Sequence, residues 1–234
     1  MTSSVTGAQQ ITEMLAATES FSKAHGSEVL AEFENNARLL LEWVRFLKKH
    51  SLTGTADELL QAVLSSIRES AAFAVIGAVR PCLFSLRAQT DLLLSWLYFK
   101  DHPIEYSKMC RTGEGYILKK EALKYFSDFH DKYPERYGGM LKIMTRQQQD
   151  PYKLLSAHIH AQSPFVIPEV KNLKDVVRSK KLVMECMLVQ FEVAEFLSDI
   201  LFSLQLFSFG ALPQPIQASL MLRIKTDAQK RALL

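Results

Sequence analysis

The chain has 234 residues, of which 48% are hydrophobic and 23% are charged, and its formal net charge is +3. This is an ordinary globular composition, and the length allows one substantial hydrophobic core. The small net charge excludes an assignment to nucleic-acid binding from charge alone, because a basic face would first have to be located. Cys82, Cys110 and Cys186 are widely spaced without a C-x-x-C motif, so we expect reduced thiols rather than a disulfide framework.

Two apolar stretches, 70–99 and 200–212, raise the question of a membrane span. Arg80, Arg87 and Asp91 interrupt the first stretch, and the second is shorter than the roughly 20 residues that a spanning helix needs. The first ten residues also lack a basic segment followed by an apolar run, which is the pattern of a secretory signal. We therefore expect two buried helices in a soluble, cytoplasmic protein.

Apolar residues recur at steps of three and four along the chain, and runs of alternating β-branched residues are missing, which predicts helices throughout. Gly26 is expected to end the first helix, and the pattern breaks again at 100–115, 133–139 and 164–168. The predicted helices cover about 8–24, 28–50, 55–79, 81–99, 116–131, a segment that opens at 151, then 171–208 and 215–231.

These elements predict an all-α fold, a single helical-bundle-like domain of about seven or eight helices. The domain is expected to span residues 1–234, because no stretch is rich enough in proline, glycine or serine to separate two units. Within it, residues 1–26 are a candidate peripheral N-terminal helix.

The helix at 81–99 places charged residues in an otherwise core-like segment. Arg87 and Asp91 are four residues apart and therefore share a helix face. Arg80 and Ser95 fall near the same stripe. One interpretation is a polar pocket floor in which Arg80 and Arg87 bind a phosphate or a carboxylate. The alternatives are a structural Arg87–Asp91 pair and the solvated side of an amphipathic helix.

A second polar group lies in the segment 150–162, DPYKLLSAHIHAQ. Ser156 and His160 are four residues apart and share a face of the predicted helix, whereas His158 points in another direction. This spacing disfavours a two-histidine metal site, and we expect neither a metal nor a cofactor. His158 or His160 is a candidate general base or phosphate contact, with Ser156 as a binding residue. The alternative is a satisfied core histidine.

Four acids lie on one stripe of the predicted C-terminal helix: Glu185, Glu192, Glu195 and Asp199. Helical bundles use such carboxylates as metal ligands, but no Glu-x-x-His motif accompanies these. A stripe of acids is typical of the wet face of an amphipathic helix. We expect the four acids of this helix to form ion pairs with Arg80 and Arg87 of the predicted helix at 81–99.

Basic residues are concentrated near predicted helix ends, where they are candidates for a phosphate-binding face. They are Arg45, Lys48 and Lys49, then Lys171, Lys174, Arg178, Lys180 and Lys181, and finally Arg223, Lys225, Lys230 and Arg231. Exposed helix ends commonly have this composition without binding phosphate. The segment from Arg45 to His50 also matches the R-x4–6-H pattern of helical ribonucleases, a spacing that arises readily by chance.

The motifs in residues 86–91 (LRAQTD) and 155–160 (LSAHIH) place Arg-x-x-x-acid on a central apolar helix and Ser-x-His on a later one. With the tract 96–103 (WLYFKDHP), they make residues 70–165 resemble a loose group of bacterial all-helical proteins that is distantly similar to the HEPN class. The chain departs from that group in carrying Asp91 where glutamate is usual. The resemblance implies a toxin, defence or mobile-element system, in which some HEPN-like proteins are ribonucleases and others are inactive partners.

Our first hypothesis for function is a non-catalytic helical binding protein that acts through a macromolecular partner. It rests on the lack of a complete catalytic set and on apolar residues expected near the C-terminus, such as Phe202, Phe207 and Phe209. The expected partner is another protein or a second copy of the chain, with RNA as a further candidate.

The alternative is a HEPN-like, metal-independent ribonuclease or nucleotide-processing enzyme. In it, Arg87 holds a phosphate, Asp91 orients the arginine, and His158 or His160 transfers the proton. That function requires these groups to meet in one cleft. A third hypothesis is a small-molecule sensor whose apolar pocket is anchored by Arg87.

Overall fold

The computed structural model describes residues 6–162, 166–167 and 169–233, and within these ranges it is all-helical. The ten α-helices are α1 (Gly7–His50), α2 (Glu58–Val75), α3 (Val79–Phe99), α4 (Pro103–Thr112), α5 (Lys119–Phe129), α6 (Tyr133–Lys142), α7 (Pro151–His160), α8 (Lys180–Leu204), α9 (Gln214–Arg223) and α10 (Asp227–Leu233). This part of the chain has no β-strand, and Ala78 and Val177 form an isolated bridge. The all-α class is confirmed, with a slightly higher helix count than predicted.

Four helices surround the main core in a bundle-like arrangement. α2 packs along α3, and α8 packs against both α1 and α3. The apolar stripe predicted for α3 faces this core, where Leu86, Leu93 and Leu97 are almost completely buried. The shorter helices cover its sides: α5 and α7 pack on α3, α6 packs on α8, and α10 packs on α6.

Gly26 does not end a helix, because α1 continues through it from Gly7 to His50. The residue is buried where α1 approaches the end of α2, and a Cβ atom there would lie 3.4 Å from Cγ1 of Val75. The Ser22 hydroxyl donates to the Val75 carbonyl oxygen at 3.0 Å in the same contact. The glycine therefore serves a close helix approach, and residues 7–26 belong to the same helix as the core-facing residues after them.

Four other regions differ from the prediction. Helix α4 lies within the break expected at 100–115, and α6 begins in the break expected at 133–139; both helices have a proline in their first turn. The helix predicted at 171–208 is a short 3₁₀ turn at Leu173–Val176 followed by α8. The last predicted helix is two, α9 and α10. Of the break predicted at 164–168, only residues 166 and 167 are among those described.

The C-terminal aromatic residues do not form the open apolar surface that the sequence suggested. Phe202 is buried in the core. Phe207 and Phe209 are partly buried against it, and the ring of Phe207 packs edge-on against Phe46 of α1, with centroids 4.7 Å apart.

The acidic stripe of α8 is buried rather than exposed to solvent. Asp199 and Glu195 lie in the core with Arg146 and Arg223 as partners, not the arginines of α3. Nη1 of Arg223 is 2.7 Å from Oδ1 of Asp199, and Nη1 of Arg146 is 3.3 Å from Oε1 of Glu195. Arg146 also pairs with Asp199. We call these four residues the buried ion cluster.

The carboxylates of α8 also accept hydrogen bonds from the segment before α7. Burial alone would raise the pKa of Glu195, but bonds from Thr145 and from the Arg146 amide, with the charge of Arg223, lower it. Burial raises the pKa of Asp199 more than its two arginines lower it. One turn earlier, Glu192 accepts from the amides of residues 147 and 148, at 2.7 Å each. Of the four predicted acids, Glu185 alone is exposed.

None of the described helices combines the length and the apolar character that crossing a bilayer requires. The stretch at 70–99 forms parts of α2 and α3, and the stretch at 200–212 begins in the buried end of α8. The first stretch packs within the helical core, as predicted. The second is a buried helix only up to Leu204, and from Gln205 onward it is a partly exposed connection that contains a short 3₁₀ turn.

Candidate functional site

The two polar groups predicted from the sequence meet at Arg87. Its Nε lies 3.3 Å from Oδ2 of Asp91, one turn further along α3. Its Nη2 donates to the Tyr152 hydroxyl at 2.8 Å, and its Nη1 lies 3.3 Å from Nε2 of His160. Tyr152 and His160 both belong to α7, so one guanidinium joins the two helices. We call Arg87, Asp91, Tyr152 and His160 the Arg87 cluster.

The contact between Arg87 and His160 determines the tautomer of the histidine. A guanidinium nitrogen can only donate, so Nε2 of His160 must accept and the ring carries its proton on Nδ1. The Nε2 lone pair, which a general base would use, is therefore already occupied.

Tyr152 is the member of this cluster that the sequence analysis missed. The guanidinium carbon of Arg87 lies 4.7 Å from the ring centroid of Tyr152, and Nζ of Lys119 lies 4.9 Å from it. Lys119, at the start of α5, also pairs with Asp150, the residue before α7. Asp150 is at the N-cap position but uses its carboxylate for this lysine rather than for the helix amides. Burial and the Asp91 charge raise the pKa of Tyr152.

The Arg87–Asp91 pair lies at the edge of the protein rather than in its core. The side-chain exposure is 18% for Arg87 and 42% for Asp91. Partial burial raises the pKa of Asp91, and the hydrogen bond from Tyr152 and the charges of Arg87 and Lys119 offset this only in part. Nη1 and Nη2 of Arg87 contact His160 and Tyr152, and its buried Nε faces Asp91 at 3.3 Å without a hydrogen bond, so a bound phosphate would have to displace one of these groups.

The other candidate site residues lie apart from this cluster. His158, two residues before His160, points into a different groove together with Arg80, and burial and the Arg80 charge lower its pKa. Ser156 is half-buried on α7. Among the contacts made by described residues, Arg87 reaches neither Ser156 nor His158. Arg80 packs its guanidinium on the ring of Phe84, 5.2 Å from the centroid.

Part of the predicted basic face is used within the fold. Lys174 pairs with Glu13 at 2.9 Å, Lys180 pairs with Glu28 at 2.7 Å, and Arg223 belongs to the buried ion cluster. The described ranges contain no group of three or more histidine, cysteine, aspartate or glutamate side chains that could hold a metal ion.

We expect the Asp91→Ala substitution to change the free energy of unfolding by less than about 1 kcal/mol, as is usual for a partly solvated pair. The raised pKa of Asp91 means that its charge is less favourable in the folded protein than in the unfolded chain, and Arg87 keeps Tyr152 and His160 as partners. Urea unfolding followed by circular dichroism measures this change. A loss of about 3 kcal/mol or more would show that the pair behaves as a buried one.

Comparison with protein-family models, with curated proteins and with solved structures yields no match to this chain.

Proposed function

We propose that the chain is a non-catalytic helical binding protein that acts through a protein partner, in the cytoplasm and in a bacterial defence, toxin or mobile-element system. The observation that carries the binding function is an apolar groove of about 490 Å³ between α1 and α2. We call it the α1–α2 groove. The setting rests on the HEPN-like resemblance.

The lining of the α1–α2 groove follows the period of a helix. Its floor is formed by buried apolar residues of both helices, among them Phe33, Ala37 and Ile67. Leu30 and Leu64 form part of its rim, and Leu30 is exposed. On each helix the lining residues recur mostly at steps of three and four, so the two helices offer matching rows of apolar side chains.

The dimensions and charges of the groove favour a helical segment as the occupant. The lining of α1 runs from Leu30 to Arg45, which at 1.5 Å per residue is about 22 Å, or four turns of a helix. Three ionisable residues line it, Glu34, Arg45 and Arg68. Arg45 pairs with Glu42, whereas neither Arg68 nor Glu34 has an ion pair with a described residue, so an occupant would place an acidic group near Arg68 and a basic one near Glu34. We therefore infer an amphipathic helix with an apolar face and an acidic residue for Arg68.

The Arg87 cluster supports a non-catalytic function. Its arginine is held by three partners from the chain, and its histidine has an occupied Nε2. These contacts are those of a structural joint between α3 and α7, which keeps α7 fixed on the core.

A charge placed on the groove rim tests the proposal. We expect Leu64→Asp to weaken partner binding at least tenfold, because a carboxylate in an apolar contact must be desolvated when the partner binds. The matched control is Leu188→Asp on α8, whose leucine is 60% exposed and lies outside the groove. The measurement is recovery of a stoichiometric partner with the tagged full-length chain from its own host.

Retention of the same partner by Leu64→Asp at wild-type yield would contradict binding through this groove. Circular dichroism of both variants shows whether they remain folded. If wild type recovers a second copy of the chain in place of another protein, the occupant we propose is wrong.

The alternative function, a metal-independent ribonuclease, is favoured by one observation, the 3.3 Å contact between Arg87 and His160. If it holds, RNA incubated with wild type and a chelator is cleaved, and His160→Ala abolishes cleavage while His158→Ala, at a separate groove, does not. We expect no cleavage by any of the three proteins.

A further inference from the structure

A second groove, independent of the one proposed for the partner, lies where the N-terminal ends of α3 and α8 meet the segment before α8. Its volume is about 410 Å³, within the range of about 300–1,000 Å³ that is usual for small-molecule sites. All the residues that we place in its wall are among those described. We call it the Arg80 groove.

The wall of the Arg80 groove is mainly apolar and partly open to solvent. Val79 and Leu83 come from α3, and Leu182 comes from α8. Val170 and Val176 complete the opposite side. Val170, Val176 and Leu182 are each more than one-third exposed, so apolar side chains that α3 and α8 leave uncovered converge on one concavity.

The ionisable residues of this wall are all basic: Arg80, His158 and Arg178. Neither arginine forms an ion pair with a carboxylate of the described chain. Nε of Arg80 is buried and has no hydrogen-bond partner among the described residues. Arg178 donates from one Nη to the carbonyl oxygen of Glu169 at 3.1 Å. Two arginines without a carboxylate partner in the described chain, beside an apolar concavity, favour a ligand with a carboxylate.

We propose that the Arg80 groove binds a small organic carboxylate with an apolar body. The carboxylate pairs with Arg80 and is supported by Arg178, while the body lies between α3 and the opposing valines. The carboxylate of this ligand meets basic groups that have no carboxylate partner in the described chain, and its apolar body covers the exposed apolar wall. The arginine that anchors the apolar pocket is then Arg80, not the Arg87 that the sensor hypothesis named.

Decanoate, kept below its aggregation concentration, is the probe for this site. Calorimetric titration of the full chain should show one decanoate bound per chain. Decanol lacks the carboxylate and acetate lacks the apolar body, so each should bind with at least tenfold lower affinity. The Arg80→Gln substitution should lower the affinity for decanoate at least tenfold. The Leu182→Trp substitution should prevent decanoate binding, because the larger side chain fills the groove. The matched control is Arg231→Gln, which removes an exposed arginine outside the groove.

Equal binding of decanol and decanoate, equal effects of Arg80→Gln and Arg231→Gln, or no binding to the folded wild type would each overturn the proposal. A peptide that ends in an apolar residue and a free carboxylate is titrated in the same way as a further comparison. If it binds more tightly than decanoate and is lost in Arg80→Gln, the groove is a peptide site and the small-molecule assignment is wrong. None of these results depends on the α1–α2 groove.

Discussion

Replacing Asp199 by alanine should lower the free energy of unfolding by about 3–5 kcal/mol, the largest effect that we expect from a single polar residue. Asp199 is completely buried and pairs with both Arg146 and Arg223, which are buried themselves. Its removal leaves Glu195 as the one carboxylate facing two guanidinium groups. Chemical denaturation followed by circular dichroism and tryptophan fluorescence measures the loss.

The control for this substitution is Asp128→Ala, which removes an exposed aspartate paired with Lys124 on α5. That change should cost less than about 1 kcal/mol, because water already solvates both charges. If Asp199→Ala costs no more than Asp128→Ala, the buried ion cluster does not hold α8, α9 and the segment before α7 together. A double variant that also replaces Arg223 by methionine should recover part of the loss.

The second large effect is expected for Gln89→Leu. The amides of Gln89 on α3 and Gln190 on α8 bond reciprocally at 2.9 and 3.0 Å, and Nε2 of Gln89 also donates to the Ser70 hydroxyl at 3.1 Å. Both amides are fully buried. Replacing one of them leaves the other without partners, which costs about 1–3 kcal/mol.

The double variant Gln89→Leu/Gln190→Leu distinguishes this cause from a loss of packing. Removing both amides leaves no buried polar group without a partner, so the double variant should be more stable than Gln89→Leu alone. Losses that simply add in the double variant would contradict the reciprocal amide pair. Unfolding free energies from the same denaturation experiment supply the comparison.

The helical nature of the chain was predictable because it depends on local periodicity. The stripe of leucines in α3 and the shared face of Arg87 and Asp91 follow from steps of three and four, and both are present. The end of a helix is harder to predict from composition alone. Gly26 is a helix breaker in isolation, but here its missing side chain permits α1 to approach Val75 of α2.

The environment of the α8 acids could not be predicted because it depends on distant partners. Arg146 lies in a loop about 50 residues before Asp199, and Arg223 lies at the end of α9. Without knowledge of those contacts, a stripe of acids indicates a solvent-exposed helix face. The same stripe is buried once two arginines come from other elements.

Part of the Arg87 cluster was visible in the sequence. Ser156 and His160 share a face of α7, and the position one turn earlier on that face is Tyr152. Extending the stripe by one turn would have found the tyrosine. The pairing of this face with Arg87 on α3 required the fold, because Arg87 and Tyr152 are 65 residues apart along the chain.

The most direct test of the proposed function is site-specific photo-cross-linking in the host, with p-benzoylphenylalanine in place of Leu64 or, as the control, Leu188. The account predicts one protein cross-linked at position 64 through a segment with an amphipathic helical pattern and an acidic residue near Arg68, and no such product at position 188. Equal cross-linking of the same partner at both positions, or a partner held only at position 188, would contradict binding in the α1–α2 groove.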